Sequence, residues 1–299
     1  MRITTTRGIA SLAAGAAVLM VTSGTAWAAK PTGGGGTTTT TPTGIDASYP
    51  QCGSALPTSA AFAVIGVNGG LANDYNNCLS SEWAYAAALT PGTNQAAAQA
   101  YLNTGDPGNT VGDWPSPAYL GAAATPSTAD PYGPCGYASG SSGPGADDQA
   151  CAWAYGYDMV DGITAASETI PGDAPTLTAQ TGASLSGLPV WLDVETGNSW
   201  ETGGQGLANN IADLQGMTAA LQGAGSAVGV YSTGSQWSTI TGTPGSASAG
   251  NLWGLPDWIP GARTEKAAQS NCTQAAFTGG TTELTQWTAS IDGDVSCIL

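Results

Sequence analysis

Two acidic residues close the apolar stretch LPVWLDVETG, residues 188–197. Asp193 and Glu195 lie two positions apart in a chain of which only 9% is charged. In a strand, alternate side chains point the same way, so both carboxylates would share one face with Trp191. Burial of two neighbouring carboxyl groups raises the pKa of at least one of them. The pair could therefore supply a proton donor and a negative charge together, as cleavage of a glycosidic bond requires.

Further acids occur near both ends of the predicted folded part. Asp46 lies in GIDAS, and Asp294 lies in IDGDVS. If the first and last strands adjoin in a closed barrel, these acids meet Asp193 and Glu195 at one mouth. Three other interpretations stay open at this point. An Asp-x-Glu sequence can be a solvated strand end and Asp-Gly-Asp a simple turn, while a calcium loop would lack its downstream acidic ligand.

Aromatic residues follow the same pattern as the acids. Four tryptophans fall at or after the C-terminal half of a predicted strand, and two tyrosines lie in such strands. Indole rings stack on sugar rings in partly wet clefts, although core packing is the alternative for any one of them. The candidate substrate-binding residues are Trp200, Trp237, Trp258, Trp287, Tyr101 and Tyr231.

The elements that must position these residues alternate between strands and helices. Strand patterns cover 44–50, 62–70, 98–106, 188–197, 227–234, 252–259, 282–290 and 293–299. Helical patterns cover 76–90, 147–167, 204–225 and 261–272, with Asp147 as a candidate cap and Gly223 or Gly225 as a stop. This alternation predicts an α/β fold, a TIM-like (β/α) barrel of eight strands with few helices after the last strands. Residues 121–146 are rich in Gly, Ser and Pro and read as a long loop.

The composition excludes several kinds of site. The chain has no histidine, so it cannot build a Ser-His-Asp or a Cys-His catalytic arrangement. Its formal net charge of −16 makes nucleic acid an unsuitable partner, because phosphate neutralisation needs Lys and Arg. A neutral substrate such as a sugar chain is compatible with this charge. We expect no metal and no cofactor.

The N-terminal part reads as an export signal. Residues 1–28 have a basic start, a short apolar run and a small-residue cleavage site at AWA. Residues 29–43 are Gly- and Thr-rich and are predicted to be a flexible linker, which leaves 44–299 for the barrel. We expect a secreted, extracellular monomer with no membrane association after cleavage.

Six cysteines in an exported chain imply disulfides. Fifteen pairings are conceivable for six cysteines. Sequential pairing closes three short loops and is expected here: 52–78, 135–151 and 272–297. A zinc site is disfavoured, since the chain has neither a Cys-x-x-Cys pair nor a histidine.

Several motifs resemble glycoside hydrolase family 25, the lysozyme-like muramidases, or the related glycoside-hydrolase-like domain of secreted actinobacterial proteins. They are GIDAS, LDVE, GVYSTGSQW, LWGLPDWIPGA and LTQWTASIDGDVS, in the family's order from Gly44 onward. The resemblance implies a barrel that cleaves peptidoglycan between N-acetylmuramic acid and N-acetylglucosamine. By motif, Glu195 resembles the general acid and Asp193 the residue that stabilises the transition state or orients the acetamido group. Asp46 and Asp294 match the acids of the family's first and last strands.

Two functions follow as hypotheses. The first is a secreted cell-wall glycan hydrolase that cleaves peptidoglycan with paired carboxylates. The second is a catalytically silent glycan-binding domain on the same barrel. A scaffold of this kind does not decide between them, because function depends on the site.

Overall fold

Eight short strands close into a barrel around the predicted acidic residues. The computed structural model describes residues 43–72, 74–111, 113–116, 130–136, 143–164 and 169–298. The barrel strands are β1 (Thr43–Ala47), β2 (Ala63–Gly66), β3 (Ala98–Asn103), β6 (Pro189–Asp193), β7 (Ala227–Tyr231), β8 (Asp257–Ala262), β9 (Thr282–Trp287) and β10 (Gly293–Ser296). Each predicted strand overlaps one of these, so the predicted barrel is confirmed. Two short strands, β4 (Gly162–Thr164) and β5 (Thr169–Pro171), pair separately as an antiparallel hairpin.

The strand order around the barrel is β1-β10-β9-β8-β7-β6-β3-β2. Pairing is parallel from β1 through β2, β3, β6, β7 and β8 to β9, whereas β10 is antiparallel to both of its neighbours. The reason is the short connection between β9 and β10, residues 288–292. A parallel return needs a crossover of about a dozen residues or more, so this link permits only a hairpin. β1 and β10 adjoin, which brings the first and last acidic motifs together.

Helices cover the outside of the barrel. They are α1 (Leu79–Ala87), α2 (Gln149–Asp161), α3 (Asp173–Thr181), α4 (Gly203–Gly223), α5 (Gly234–Thr241), α6 (Ser246–Ala249) and α7 (Glu265–Asn271). Four of them match the predicted helices. The cap of α2 was predicted one residue early: Asp148, and not Asp147, accepts a hydrogen bond from the amide of Cys151. The sequence patterns missed α3, α5 and the four-residue α6. α3 carries Pro175 in its first turn, and α5 begins in the turn-like STGS.

Side chains of the barrel strands separate into two layers. Trp191 and Trp258 pack with Phe62, Val64 and Leu284 in the barrel interior. Leu192 and Val194 face outward and join the apolar layer beneath the helices. The predicted alternation along β6 is therefore confirmed, and it directs Asp193 toward the interior.

Helices α2 and α4 cross at two glycines. A Cβ on Gly156 would collide with the backbone at Asp213, and a Cβ on Gly216 would collide with the backbone at Trp153. Glycine at both positions lets the two helix backbones touch, which a larger residue would prevent. This contact holds α2 against α4, the helix that follows β6.

Three disulfides link the cysteines in sequential order, as predicted: Cys52–Cys78, Cys135–Cys151 and Cys272–Cys297. The first joins the loop after β1 to the start of α1. The last joins the end of α7 to the residue that follows β10. The first disulfide therefore fixes the loop after β1 against α1, and the last fixes α7 against the end of β10.

Some of the sequence predictions lie outside the described residues. These are the signal peptide over 1–28, residues 29–42 of the linker predicted over 29–43, and most of the loop over 121–146. Thr43, the last residue of the predicted linker, belongs to β1 instead. Within the described residues, none of the helices combines the length and the apolar character that crossing a membrane would require.

Candidate active site

The backbone that carries the two acids is fixed by hydrogen bonds to three successive carbonyl groups. Thr104 Oγ1 donates to the Asp193 carbonyl at 2.6 Å, and Ser232 Oγ donates to the Val194 carbonyl at 2.7 Å. The Trp200 indole nitrogen donates to the Glu195 carbonyl at 2.8 Å. The donors come from the loops after β3, β6 and β7. The segment past the end of β6 is therefore held in one geometry from both sides, as a catalytic pair requires.

Asp193 is the deeper of the two acids. Its side chain is 8% exposed, and its Oδ1 atom has no hydrogen-bond partner among the described residues. Burial raises the pKa of Asp193 well above its ordinary value, and the charges of Glu195 and Asp46 raise it further. Both effects favour the protonated form of Asp193.

Glu195 lies nearer the solvent, at the rim of the barrel. Its side chain is partly exposed, and Oε1 accepts a hydrogen bond of 3.4 Å from Gln236 Nε2. Gln236 belongs to α5 and also takes part in the capping box of Thr233. A long bond from a residue already held elsewhere leaves the Glu195 carboxylate accessible to a ligand in the mouth.

Asp46 and Asp294 form a second carboxyl pair across the β1–β10 seam. Burial raises the pKa of Asp46 to about 6, opposed by a hydrogen bond from Gln286 and one from Asp294. Burial also raises the pKa of Asp294, and the charge of Asp46 raises it further. The shared hydrogen bond favours the protonated form of Asp294 and the charged form of Asp46. Two neighbouring carboxyl groups do not easily both ionise, and these effects favour the protonated form of Asp294.

Donors from two further strands fix this second pair. Gln286 Nε2 donates to Asp46 Oδ2 at 2.9 Å, and Tyr231 OH donates to Gln286 Oε1 at 3.0 Å. The Trp258 indole nitrogen donates to Asp294 Oδ1 at 2.8 Å. These hydrogen bonds connect side chains of β7, β9 and β1, so displacement of one side chain would shift the others.

The six aromatic candidates separate into three groups. Trp258 packs edge-on against Tyr231 and Tyr101, with ring centroids 4.5 and 6.3 Å apart, so these three line the barrel interior near the acids. Trp200 braces the Glu195 backbone from the rim and is partly exposed. The remaining two, Trp237 and Trp287, lie away from the mouth.

Trp237 and Trp287 occupy packing positions. Trp237 is 1% exposed and packs on Phe277 in the outer apolar layer. Trp287 packs on the outer side of the barrel with Ala262 and Val295. Its indole covers Gly293, where a Cβ would collide with the ring. Strand alternation explains Trp287, since its neighbour Gln286 already faces inward. We therefore leave these two tryptophans out of the proposed substrate contacts.

Sequence reasoning missed Gln286 and Gln236 as parts of the site. The signal for Gln286 was present, because alternation in TELTQW directs it inward beside Leu284. No such signal existed for Gln236, since α5 was not predicted. Among the described residues, no group of three or more acidic or cysteine side chains is arranged to hold a metal ion.

Comparison with solved structures gives two similar chains. One is the bacterial lysozyme from Streptomyces coelicolor, with 14% identity, a TM-score of 0.45, and coverage of 86% of this chain and 93% of that one. The other is a muramidase from Acremonium alcalophilum, with 13% identity, a TM-score of 0.45, and coverage of 85% and 92%. A search of curated proteins gave no match.

Comparison with protein families gives one match that includes the acid pair. Residues 178–273 match the family described as Lysozyme-like protein 1. The matched segment begins in α3 and ends just after α7, so it includes β6, β7 and β8. Residues 178–273, which carry Asp193 and Glu195, are therefore lysozyme-like, as the sequence motifs predicted.

Proposed function

We propose that this protein is a secreted glycoside hydrolase that cleaves peptidoglycan, with Glu195 and Asp193 as its catalytic pair. The observation that carries the proposal is the placement of both acids at the end of β6, in a segment that matches the lysozyme-like family. The three disulfides support secretion, because such bonds persist in oxidising compartments. The expectation of a monomer stays a prediction.

The acid pair can divide the chemistry of glycosidic cleavage. Glu195 is the more exposed acid and transfers a proton to the oxygen of the leaving sugar as the bond to the anomeric carbon breaks. In the free protein burial favours the protonated form of Asp193; when that proton passes to Glu195, the Asp193 anion stabilises the positive charge that develops on the oxocarbenium-like sugar. The two carboxyl groups thus share one proton and one negative charge, which supply the donor and the stabilising anion together.

The second carboxyl pair supports the other half of the reaction. Asp46 is the charged member of its pair and is partly exposed. It can accept the proton of a water molecule that attacks the anomeric carbon, while protonated Asp294 and Gln286 hold it in place. Trp258, Tyr101 and Tyr231 then line the floor beneath the sugar, and Trp200 lies at the rim.

The charge of the mouth favours a neutral substrate. It carries acidic side chains from β1, β6 and β10, and the basic residues of the described part, Arg263 and Lys266, are both exposed and near α7. Peptidoglycan presents largely uncharged sugar rings at the scissile bond, whereas polyanionic substrates would be repelled.

The test is the release of reducing ends from purified peptidoglycan. Replacing a positioned proton donor typically costs on the order of 100- to 10,000-fold in rate. Glu195→Gln should therefore lose most turnover yet keep the fold and glycan binding, and Asp193→Asn should also lose turnover. Asp161→Asn, an exposed acid at the end of α2, is the matched control and should keep full activity.

Each outcome separates the hypotheses. Equal turnover by wild type and Glu195→Gln would place the proton donor elsewhere. Retention on walls without turnover by the wild type would identify the silent glycan-binding domain instead. If the wild type shows no retention on walls and no turnover, both functions are ruled out.

A further inference from the structure

A groove formed by helices and loops runs along α4. Ala208, Ile211, Gln215, Ala219 and Gln222 line it at intervals of three or four residues, which places them on one face of that helix. The stretch between the first and the last of them is about 21 Å long, at about 1.5 Å per residue. The groove has a volume of about 740 Å³, within the usual range of about 300–1,000 Å³ for ligand sites. Its dimensions therefore suit a chain of several small units.

One wall of the groove is held in place by a disulfide and by hydrogen bonds. Tyr132 is partly exposed and lies in a segment that the Cys135–Cys151 bridge ties to α2. Its hydroxyl donates to Gln215 Oε1 at 2.8 Å. Gln215 Nε2 in turn donates to the carbonyls of Ser248 and Ala249, at 3.1 and 3.0 Å. The aromatic ring is thus fixed before a ligand arrives, which lowers the entropic cost of binding.

The groove wall also contains a buried hydrogen-bond acceptor without a partner. Asn251 Nδ2 donates to the Gln215 carbonyl at 3.0 Å, which fixes the orientation of the Asn251 carboxamide because a carbonyl can only accept. Asn251 Oδ1 is buried and accepts no hydrogen bond from the described part of the chain. Because buried polar atoms are normally hydrogen-bonded, this oxygen indicates a ligand that brings a donor group.

None of the described residues in the wall is charged, although the chain contains 21 acidic residues. The wall therefore offers no counter-charge to a cation or to an anion. Its polar side chains include Gln149 and Gln222, whose carboxamides both donate and accept hydrogen bonds. A neutral ligand with many hydroxyl groups and with apolar C–H faces matches these carboxamides and the ring of Tyr132.

We propose that this groove binds a segment of neutral sugar chain, separately from the acid mouth. This inference rests on the proposed function, since it takes the occupant from the same wall glycan. A sugar ring lies on Tyr132, one hydroxyl donates to Asn251 Oδ1, and others bond with Gln149 and Gln222. A glycan held both here and at the mouth is retained more firmly than at either place alone, because the second contact is intramolecular.

Nuclear magnetic resonance tests the groove without relying on turnover. The probe is a soluble tetrasaccharide of N-acetylglucosamine, which is neutral, titrated into the ¹⁵N-labelled Glu195→Gln protein. The side-chain amide signals of Gln149, Gln222 and Asn251 should shift until they saturate. Tyr132→Ala in the same background should weaken the Kd from these signals by roughly two- to tenfold, the usual contribution of one aromatic contact. Signals that stay in place at millimolar sugar would overturn the inference.

Further variants separate the groove from effects on folding, which thermal unfolding reports for each of them. Tyr132→Phe keeps the ring and should keep most of the affinity. Ala219→Leu fills the groove from a partly exposed position of α4 with a good helix former, so it should weaken the Kd as Tyr132→Ala does. Tyr85→Ala is the matched control, since Tyr85 of α1 is also partly exposed and has a hydrogen-bonded hydroxyl but does not line the groove. It should leave the Kd unchanged.

The outcomes distinguish this site from the proposed catalytic function. A Kd that survives both Tyr132→Ala and Ala219→Leu would overturn the inference. Shifts of the groove signals without any turnover by the wild type would reject the hydrolase and keep the sugar site. Turnover by the wild type without shifts of the groove signals would reject the sugar site alone.

Discussion

Each carboxyl group in the mouth has a proton affinity set by the donors that reach it. Within the described part of the chain, Asp193 has an oxygen without a hydrogen-bond partner, and the charges of Glu195 and Asp46 also favour its protonated form. Burial also raises the pKa of Asp46, but this residue accepts a hydrogen bond from Gln286 that favours the anion. The hydrogen bond from Gln286 thus distinguishes Asp46, which can act as a base, from Asp193, whose protonated form is favoured.

Gln286→Met tests this dependence. Loss of the donor should raise the pKa of Asp46 above about 6, since the hydrogen bond from Gln286 lowers it. If charged Asp46 accepts the proton of water, the acidic limb of the kcat/KM profile should move upward by roughly 0.5–1 pH unit, because one hydrogen bond contributes about 1 kcal/mol. Tyr231→Phe is the control: it removes only the donor to Gln286 and should shift the limb less. An unmoved limb in Gln286→Met would exclude Asp46 as that acceptor.

At the scale of elements, helix packing determines how firmly β6 is supported. α4 follows the acid-bearing loop and packs against α2 through Gly216 and Gly156. Neither helix has the strongly apolar face of an isolated amphipathic helix, because much of α4 is buried on several sides. Close backbone contact, and not large interlocking side chains, fixes their separation at these two positions.

Gly216→Ala should destabilise the fold, and Gly223→Ala should not. The added methyl at position 216 meets the Trp153 backbone, which cannot move without displacing α2. Overpacking of this kind costs about 1–3 kcal/mol or more in the free energy of unfolding. Gly223 is in the same helix with no atom within 4 Å of a Cβ, so alanine there should be neutral or stabilise by up to about 1 kcal/mol. Urea denaturation measures both, and equal effects of the two substitutions would argue against the close crossing.

At the scale of the whole molecule, buried acids make the protein unusual. Burial raises the pKa of Asp106, Asp158 and Asp257 to about 7 and that of Asp173 to about 8. Their folded pKa values exceed those of the unfolded chain, so the folded state binds more protons in this range. The stability that these acids contribute is fully present below about pH 4 and is lost as the pH rises from there through about 7–8.

Thermal unfolding should therefore show a higher Tm at about pH 5 than at about pH 8, by on the order of 5 °C. Asp173→Asn should reduce the difference, because Asp173 is 1% exposed and accepts a hydrogen bond from Asn68 that an amide oxygen can also accept. Glu265→Gln, at an exposed position in α7, should leave the difference unchanged. A Tm that rises toward alkaline pH would contradict the assignment of these acids as protonated in the fold.

Strand periodicity allowed much of this architecture to be predicted, whereas side-chain environment did not follow from it. Alternation in residues 188–197 correctly separated Asp193 from Leu192, because the strand period is fixed by backbone geometry. The same rule could not distinguish Trp258, which faces the acids, from Trp237, which lies in a helix that Gly234 and Ser235 concealed. The partners of Asp46 come from β9, more than two hundred residues away, and only the closed barrel brings them together.

The pairing of β1 with β10 has a consequence for how the chain reaches this state. The seam joins residues 43–47 to residues 293–296, so the barrel cannot close until segments from both ends of the folded region meet. Pairings so distant along the chain are slow to form. Until then β1 and β10 would each present an unpaired edge, which invites association between chains. Refolding yield should consequently depend on protein concentration, and dilution should favour the monomeric barrel over aggregates.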